Sequence, residues 1–263
     1  MDIKQGIRRN FARRAASYER YAGVQRLMAE ELLGLAGPAL AQAGSVLEVG
    51  CGTGFLTAGL RRANPRARLV ALDLDAALVE RARERLGPDP RTSWLVADGE
   101  TLGRGRFDLV ISNAVFQWFT DPEATLKTYW QTLTPRGRLA FSTLGPRTFR
   151  ELAASVRQAA QFLKLTAAPE IPAANFLGPE NWQALLTRAG FSRVQVAAKT
   201  ISVGFPSVGQ FLKALQATGA TNPQPRPLTP RFLKALDAAY QSAFRQNGSV
   251  PVTYEIIWAI ARK

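Results

Sequence analysis

The sequence predicts an α/β fold built on a doubly wound, mainly parallel sheet of seven strands. Three observations predict it. Near-continuous apolar runs recur at 45–49, 68–73, 93–97, 107–112 and 137–143, and helical patterns near 55–63, 76–86 and 122–133 alternate with them. Parallel strands read this way because helices bury both faces of their sheet. The first run ends in three glycines two residues apart, Gly50, Gly52 and Gly54, and Leu56 and Leu60 then fit one face of a helix. Beyond 143 the alternation weakens. Residues 148–165 read as one long helix, and Pro179 opens another through Leu186 that stops at Gly190. Strand patterns follow at 194–196, 201–203 and 253–261, with helices near 207–217 and 230–246 between them.

The chain has 263 residues, 46% of them hydrophobic, which suits one large domain or one domain with an insertion. Expected boundaries are a basic helical arm at 1–36, a core at 37–145, a helix and loop at 146–190, and a last section at 191–263 with a helical insertion at 207–247. Within the arm, Val24, Leu27, Met28, Leu32 and Leu35 form an amphipathic stretch that Gly37-Pro38 is expected to end. No apolar run reaches the roughly 18–20 residues of a membrane span. The basic N-terminus lacks an apolar stretch of the secretory kind, and one cysteine allows no intrachain disulfide. A cytoplasmic protein is expected, with no membrane contact. The chain has no histidine, which removes the commonest general base and metal ligand. No metal is expected. Cys51 sits inside the glycine turn as a small residue and not as a nucleophile.

Ligands of such sheets bind at the carboxyl ends of the strands. Glycines there leave the backbone bare, and the following helix points N–H groups and its positive dipole end at the ligand. A nucleoside-bearing cofactor is the first expectation. Phe55 stands where a dinucleotide fingerprint needs its last glycine, which argues against NAD or FAD. Asp73 ends the second strand, 19 residues after Gly54, where a carboxylate can accept hydrogen bonds from ribose hydroxyls. Asp75 could do so instead. Asp98-Gly99-Glu100 ends the third strand, where an acid can accept from an adenine amine and Gly99 allows a sharp turn; Asp98 also reads as a plain turn residue. Ser112-Asn113-Ala114-Val115-Phe116-Gln117-Trp118 follows the fourth strand. There Asn113 can bond the far end of the cofactor, while Phe116 reads better as core.

The string Glu48-Val49-Gly50-Cys51-Gly52-Thr53-Gly54, with these strand ends, resembles the class I S-adenosylmethionine-dependent methyltransferases from Val46 to about Thr143. A closer resemblance covers nearly the whole chain. Ile7-x3-Phe11-Ala12-x2-Ala15-Ala16-x-Tyr18, Ala22-x2-Gln25-x2-Met28-Ala29, Thr148-Phe149-x-Glu151-Leu152, Asn175-Phe176-Leu177 and Val250-Pro251-x-Thr253-Tyr254-Glu255 are similar to the malonyl-[acyl-carrier protein] O-methyltransferases of the biotin pathway. The Ser-Asn-Ala-x-x-Gln-Trp piece is shared with trans-aconitate methyltransferase. The resemblance implies a Rossmann-like core with helices lidding the site. It also implies methyl transfer from S-adenosylmethionine, leaving S-adenosylhomocysteine, to the free carboxylate of a malonyl thioester on acyl carrier protein or coenzyme A. Together with the strand ends it gives Gln25, Glu48, Gly50, Cys51, Gly52, Gly54, Asp73, Leu74, Asp98, Gly99, Glu100 and Asn113 as cofactor-binding residues.

The residues suit that chemistry. A carboxylate, with a pKa of about 4, is ionised at neutral pH and needs no general base, so a histidine-free chain is consistent with its methylation. Anion meets cation in the reaction, which a dry pocket favours; Tyr18, Trp118 and Phe176 are candidates to exclude water. Arg147, or its neighbour Arg150, can hold the substrate carboxylate through a planar guanidinium. The net charge of +14, with Lys4, Arg8, Arg9 and Arg13 in the arm, suits an acidic partner such as acyl carrier protein. Rival readings are another small-carboxylate methyltransferase of trans-aconitate type, an RNA methyltransferase, and a fold of this kind turned into an assembly factor. Nucleic acid is the weaker expectation because no nucleic-acid module is visible.

Overall fold

A computed structural model describes residues 22–103, 105–217 and 228–263. The basic arm through Tyr21, with Tyr18, and the Pro-rich link at 222–227 lie outside the described residues. The described chain forms two compact units. One, here the sheet unit, comprises Ala22–Thr143, Leu177–Ala198 and Ile257–Lys263; the other, the helical unit, holds Leu144–Phe176 and Lys199–Ile256.

In the sheet unit, α1 (Gly23–Gln42) leads into β1 (Ser45–Val49), α2 (Phe55–Ala63), β2 (Arg68–Asp73), α3 (Ala76–Leu86), β3 (Thr92–Val96), β4 (Phe107–Asn113) and α4 (Pro122–Thr132). Next come β5 (Leu133–Leu144), α5 (Arg150–Phe162), α6 (Pro179–Arg188), β6 (Ser192–Phe205), α7 (Val208–Ala217), α8 (Pro230–Phe244) and β7 (Val250–Arg262). The sheet order is β3-β2-β1-β4-β5-β7-β6. The pairs β1–β2, β1–β4, β2–β3 and β4–β5 are parallel. The chain leaves β1 toward β2 and β3, then returns to β4 on the other side. That reversal opens the crevice in which ligands of such sheets bind. β7 runs against β5: Lys263 N–H donates to the Gly137 carbonyl near the start of β5, and Gly145 N–H, just past its end, donates to Glu255. Among the described residues, no helix is long and apolar enough to cross a membrane.

Local chemistry explains the helix starts. Asp75 caps α3 by accepting from Ala77 and Leu78 N–H, and Asp121 caps α4 by accepting from Ala124 N–H. Thr229 accepts from Phe232 N–H at the start of α8, with Pro230 in the first turn. The sheet unit's core gathers Leu47, Val49, Val110, Phe141, Trp182 and Ile257 around Phe116. The rings of Phe116 and Phe141 stack 4.0 Å apart. Phe116 is therefore core, as the sequence favoured. In the helical unit, α5 packs on α8 over Phe149, Phe211, Phe232, Leu236 and Tyr240.

Two expectations are corrected. Helix α1 continues through Gly37-Pro38 to Gln42, with Pro38 inside it. Proline removes one helical hydrogen bond, but burial of Ala36, Leu40 and Ala43 offsets that cost. The helix end is then capped from outside, because Asn64 Nδ2 donates to the carbonyls of Leu40 and Ala43. The fifth strand begins four residues early, at Leu133, running through Pro135-Arg136-Gly137 with a register shift against β4. The two short patterns at 194–196 and 201–203 lie in one strand, β6, at the sheet edge, in keeping with the expected seven strands.

Candidate functional site

The carboxyl ends of β1 to β4 bring most of the expected residues together. The turn after β1 is tight because Gly50, Gly52 and Gly54 all have positive φ, at 75°, 54° and 82°. Gly54 packs on α3, so a Cβ there would lie 2.9 Å from the Ala82 Cα. Among the described residues, a Cβ on Gly52 would meet nothing within 4 Å, so at that glycine the bare backbone is left uncovered by them. Asp73 clamps the turn: its Oδ2 accepts from Gly52 N–H at 2.9 Å and its Oδ1 from Asp75 N–H at 3.0 Å. Burial pushes its carboxyl up to about 6, against the pull of the Asp75 and Gly52 N–H groups. Each oxygen keeps a second lone pair for a ligand donor. The helix cap of α3 is Asp75 and not Asp73.

Glu48 is fully buried in β1. Among the described residues, neither its carboxyl oxygens nor the Thr57 hydroxyl of α2 makes a hydrogen bond of good geometry, although Thr57 lies close enough to favour the charged carboxylate. Burial first, and the Asp73 charge as a lesser cause, push Glu48 up to about 8 while Thr57 opposes them. Buried polar groups are rarely left so, and a cationic ligand would satisfy this one. Gln25 Oε1 of α1 is likewise buried without a partner among the described residues. Cys51 is 4% exposed and packs against Ala71, Val79 and Ala82, and burial pushes its thiol far up. It packs as a small core side chain.

Other expected residues have their side chains engaged by the protein. Asp98 Oδ1 accepts from Glu100 N–H, and Gly99 lies against Val49 while its carbonyl accepts from the buried Tyr129 hydroxyl. Leu74, half-buried, follows directly at the end of β2. The Glu100 carboxylate accepts from the N–H groups of Thr120 and Asp121, so it ties down that loop. Asn113, expected at the far end of the cofactor, is a brace. Its Nδ2 donates to the Gln25 carbonyl, and its Oδ1 accepts from Ser142 Oγ at 2.6 Å. Trp118 is half-buried at the end of a short 3₁₀ turn, Phe116–Trp118.

Arg147 and Phe176 belong to the helical unit. Phe176 is half-buried against that unit's core. Arg147, expected to hold a substrate carboxylate, already holds one from the chain. Its Nε and Nη2 lie 2.7 Å from Glu255 Oε1, and its N–H donates to Glu255 Oε2 at 2.8 Å. Arg150 Nε similarly donates to Glu151. Sequence reasoning gave no role to Thr57, Ser142 or Glu255. For Glu255 the signal was its place in the Thr253-Tyr254-Glu255 string, and for Ser142 its place in the similarly family-like Phe141-Ser142-Thr143-Leu144-Gly145; for Thr57 there was none.

This donor set fits S-adenosylmethionine, which carries an ammonium on its amino acid end, a sulfonium, ribose hydroxyls and an adenine amine. Acids stand at the ends of three adjacent strands, beside a glycine whose missing Cβ leaves room. Fold and site together define a methyltransferase of the class I, S-adenosylmethionine-dependent fold, and residues 47–139 match the family described as Methyltransferase domain. The plantazolicin methyltransferase BamL, solved with S-adenosylhomocysteine and a triazolic desmethylPZN analog, shares the fold at TM-score 0.53 and 14% identity over 100% of this chain and 99% of that one. The malonyl-[acyl-carrier protein] O-methyltransferase of Anoxybacillus flavithermus is 36% identical over 97% of this chain and 96% of its own. That of Priestia megaterium is 33% identical over 97% and 96%. The chain belongs to the malonyl-[acyl-carrier protein] O-methyltransferase family.

Proposed function

We propose that the protein methylates the free carboxylate of a malonyl thioester on acyl carrier protein, giving the malonyl methyl ester that starts pimeloyl and biotin synthesis. Full-length likeness to enzymes of that name carries this reading. S-adenosylmethionine, when bound, supplies an electrophilic methyl group on a sulfonium. Glu48 and Gln25 hold its amino acid end, Gly50, Cys51, Gly52 and Gly54 line it with backbone, and Asp73 and Leu74 take the ribose. Asp98, Gly99 and Glu100 form the adenine side, and Asn113 braces the wall.

The chain's own task is then to bind, orient and dry the acceptor. The malonyl carboxylate is ionised at neutral pH and needs no base, in keeping with a chain that has no histidine. Arg147 holds that carboxylate until it becomes a neutral ester, which loses the charge-assisted attraction and leaves. Tyr18, Trp118 and Phe176 exclude water, and helices from 146–190 and 207–247 act as the lid. The positive charge of the chain favours the acidic carrier over a small free acid.

Incubation with S-adenosylmethionine should add one methylene to malonyl-[acyl-carrier protein] and none to the acetyl form. Gain on trans-aconitate or RNA instead would replace this reading. Arg147→Ala should lower kcat/KM roughly 10- to 100-fold, the equivalent of a charge-assisted bond of about 1.5–3 kcal/mol. An unchanged kcat/KM removes Arg147 from the site.

A further inference from the structure

A surface arginine normally sweeps a wide volume, because its side chain keeps most of its rotamer freedom. Arg147 does not. Its side chain is 62% exposed, yet three donors of this one residue grip the Glu255 carboxylate, whose side chain is 2% exposed. The surrounding turn is built to admit that acid. A Cβ on Gly145 would lie 2.6 Å from Glu255 Oε2, so glycine makes the room. Gly145 N–H donates to the Glu255 carbonyl at 2.8 Å, and Glu255 N–H donates to Thr148 Oγ1 at 3.1 Å. Burying a carboxylate costs free energy that packing alone would not repay. The return is a guanidinium held in one plane while it stays open to solvent.

Resting on the proposed role of Arg147, we infer that Glu255 is its positioning residue. Glu255 fixes the guanidinium from behind through Nε and Nη2, so that the arginine meets a substrate carboxylate already oriented. Glu255 itself touches no substrate. Its contribution is to tighten malonyl binding, and it acts only through Arg147.

A double-mutant cycle on the full-length protein tests this, with KM and kcat for malonyl-[acyl-carrier protein] as readouts. Glu255→Gln keeps the side-chain size and removes the charge. It should raise KM roughly 10- to 100-fold, the penalty of a misplaced binding group, with kcat little changed. In an Arg147→Ala background the same substitution should add nothing. S-adenosylhomocysteine affinity, measured by calorimetry, should stay at its wild-type value throughout. Additive effects in the cycle would overturn the inference, since a merely structural acid costs the same whether or not Arg147 is present. So would a wild-type KM in Glu255→Gln when Arg147→Ala raises it. A wild-type KM in Arg147→Ala defeats the proposed role of Arg147 first, and the inference with it. Should Glu255→Gln fail to fold, Arg147→Lys decides: it keeps the charge but loses the edge that Glu255 grips. It should raise KM by a similar factor, and a wild-type KM there overturns the inference.

Discussion

Glu48 is the residue at which stability and function oppose each other most directly. Its carboxyl is fully buried, and burial pushes its pKa from 4.5 up to about 8. Between those values the folded protein keeps a proton that the unfolded chain releases. Its contribution to stability is thus complete below about pH 4.5 and is lost as pH rises toward 8. Glu48→Gln should therefore raise stability at pH 8 by on the order of 2 kcal/mol and flatten the pH dependence of Tm there. The same variant should bind S-adenosylhomocysteine at least roughly tenfold more weakly, because the ammonium of the ligand's amino acid end loses a carboxyl acceptor. An unchanged affinity by calorimetry would release Glu48 from the site. The sequence marked Glu48 only as a member of a motif; its full burial, with Thr57 and Asp73 as its polar neighbours, became visible in the fold.

At the scale of elements, the glycine turn and the end of α1 show two kinds of control. Gly52 and Gly54 look alike in sequence, yet one is left uncovered by the described residues and the other faces the backbone of α3. Gly52→Ala should cost only the roughly 1–2 kcal/mol of a left-handed alanine while weakening cofactor binding. Gly54→Ala adds overpacking against Ala82, typically about 1–3 kcal/mol more. Urea denaturation beside ligand titration separates the two. Asn64 holds four main-chain groups: the Leu40 and Ala43 carbonyls, and the N–H groups of Arg66 and Ala67. Asn64→Ala should cost about 2–3 kcal/mol, since it leaves buried main-chain groups unpaired. A loss below about 0.5 kcal/mol in urea would mean that Asn64 does not hold α1 past Pro38. The helix end was illegible in sequence because its cap comes from a residue on the far side of β1.

For the whole molecule, the informative quantity is charge. At +14 the chain repels itself and attracts anions over distances that salt shortens to about 8 Å at physiological strength. If the proposed acidic carrier is the substrate, KM for malonyl-[acyl-carrier protein] should rise several-fold between low and high salt. KM for malonyl-coenzyme A should rise less. A KM flat with salt would leave the excess charge to solubility alone. The elements β1, β2, α2 and α3 were legible to the residue, because buried parallel strands and packed helices leave strong local periodicities. The full length of β6 was not, since an edge strand is only partly buried and its pattern is weak.

The sequence by itself determined the fold class, the glycine turn with its acids at strand ends, and the family. These follow from local spacing and from apolar periodicity, which survive without knowledge of neighbours. The tertiary structure alone decided which polar group answers which. Asp73 meets Gly52 across 21 residues, Asn113 meets Ser142 across 29, and Arg147 meets Glu255 across 108. Adjacent strands place those partners side by side regardless of their distance along the chain, so no periodicity records them. A hydrogen bond depends on ångström separation in space, and that separation is set only once the sheet has formed.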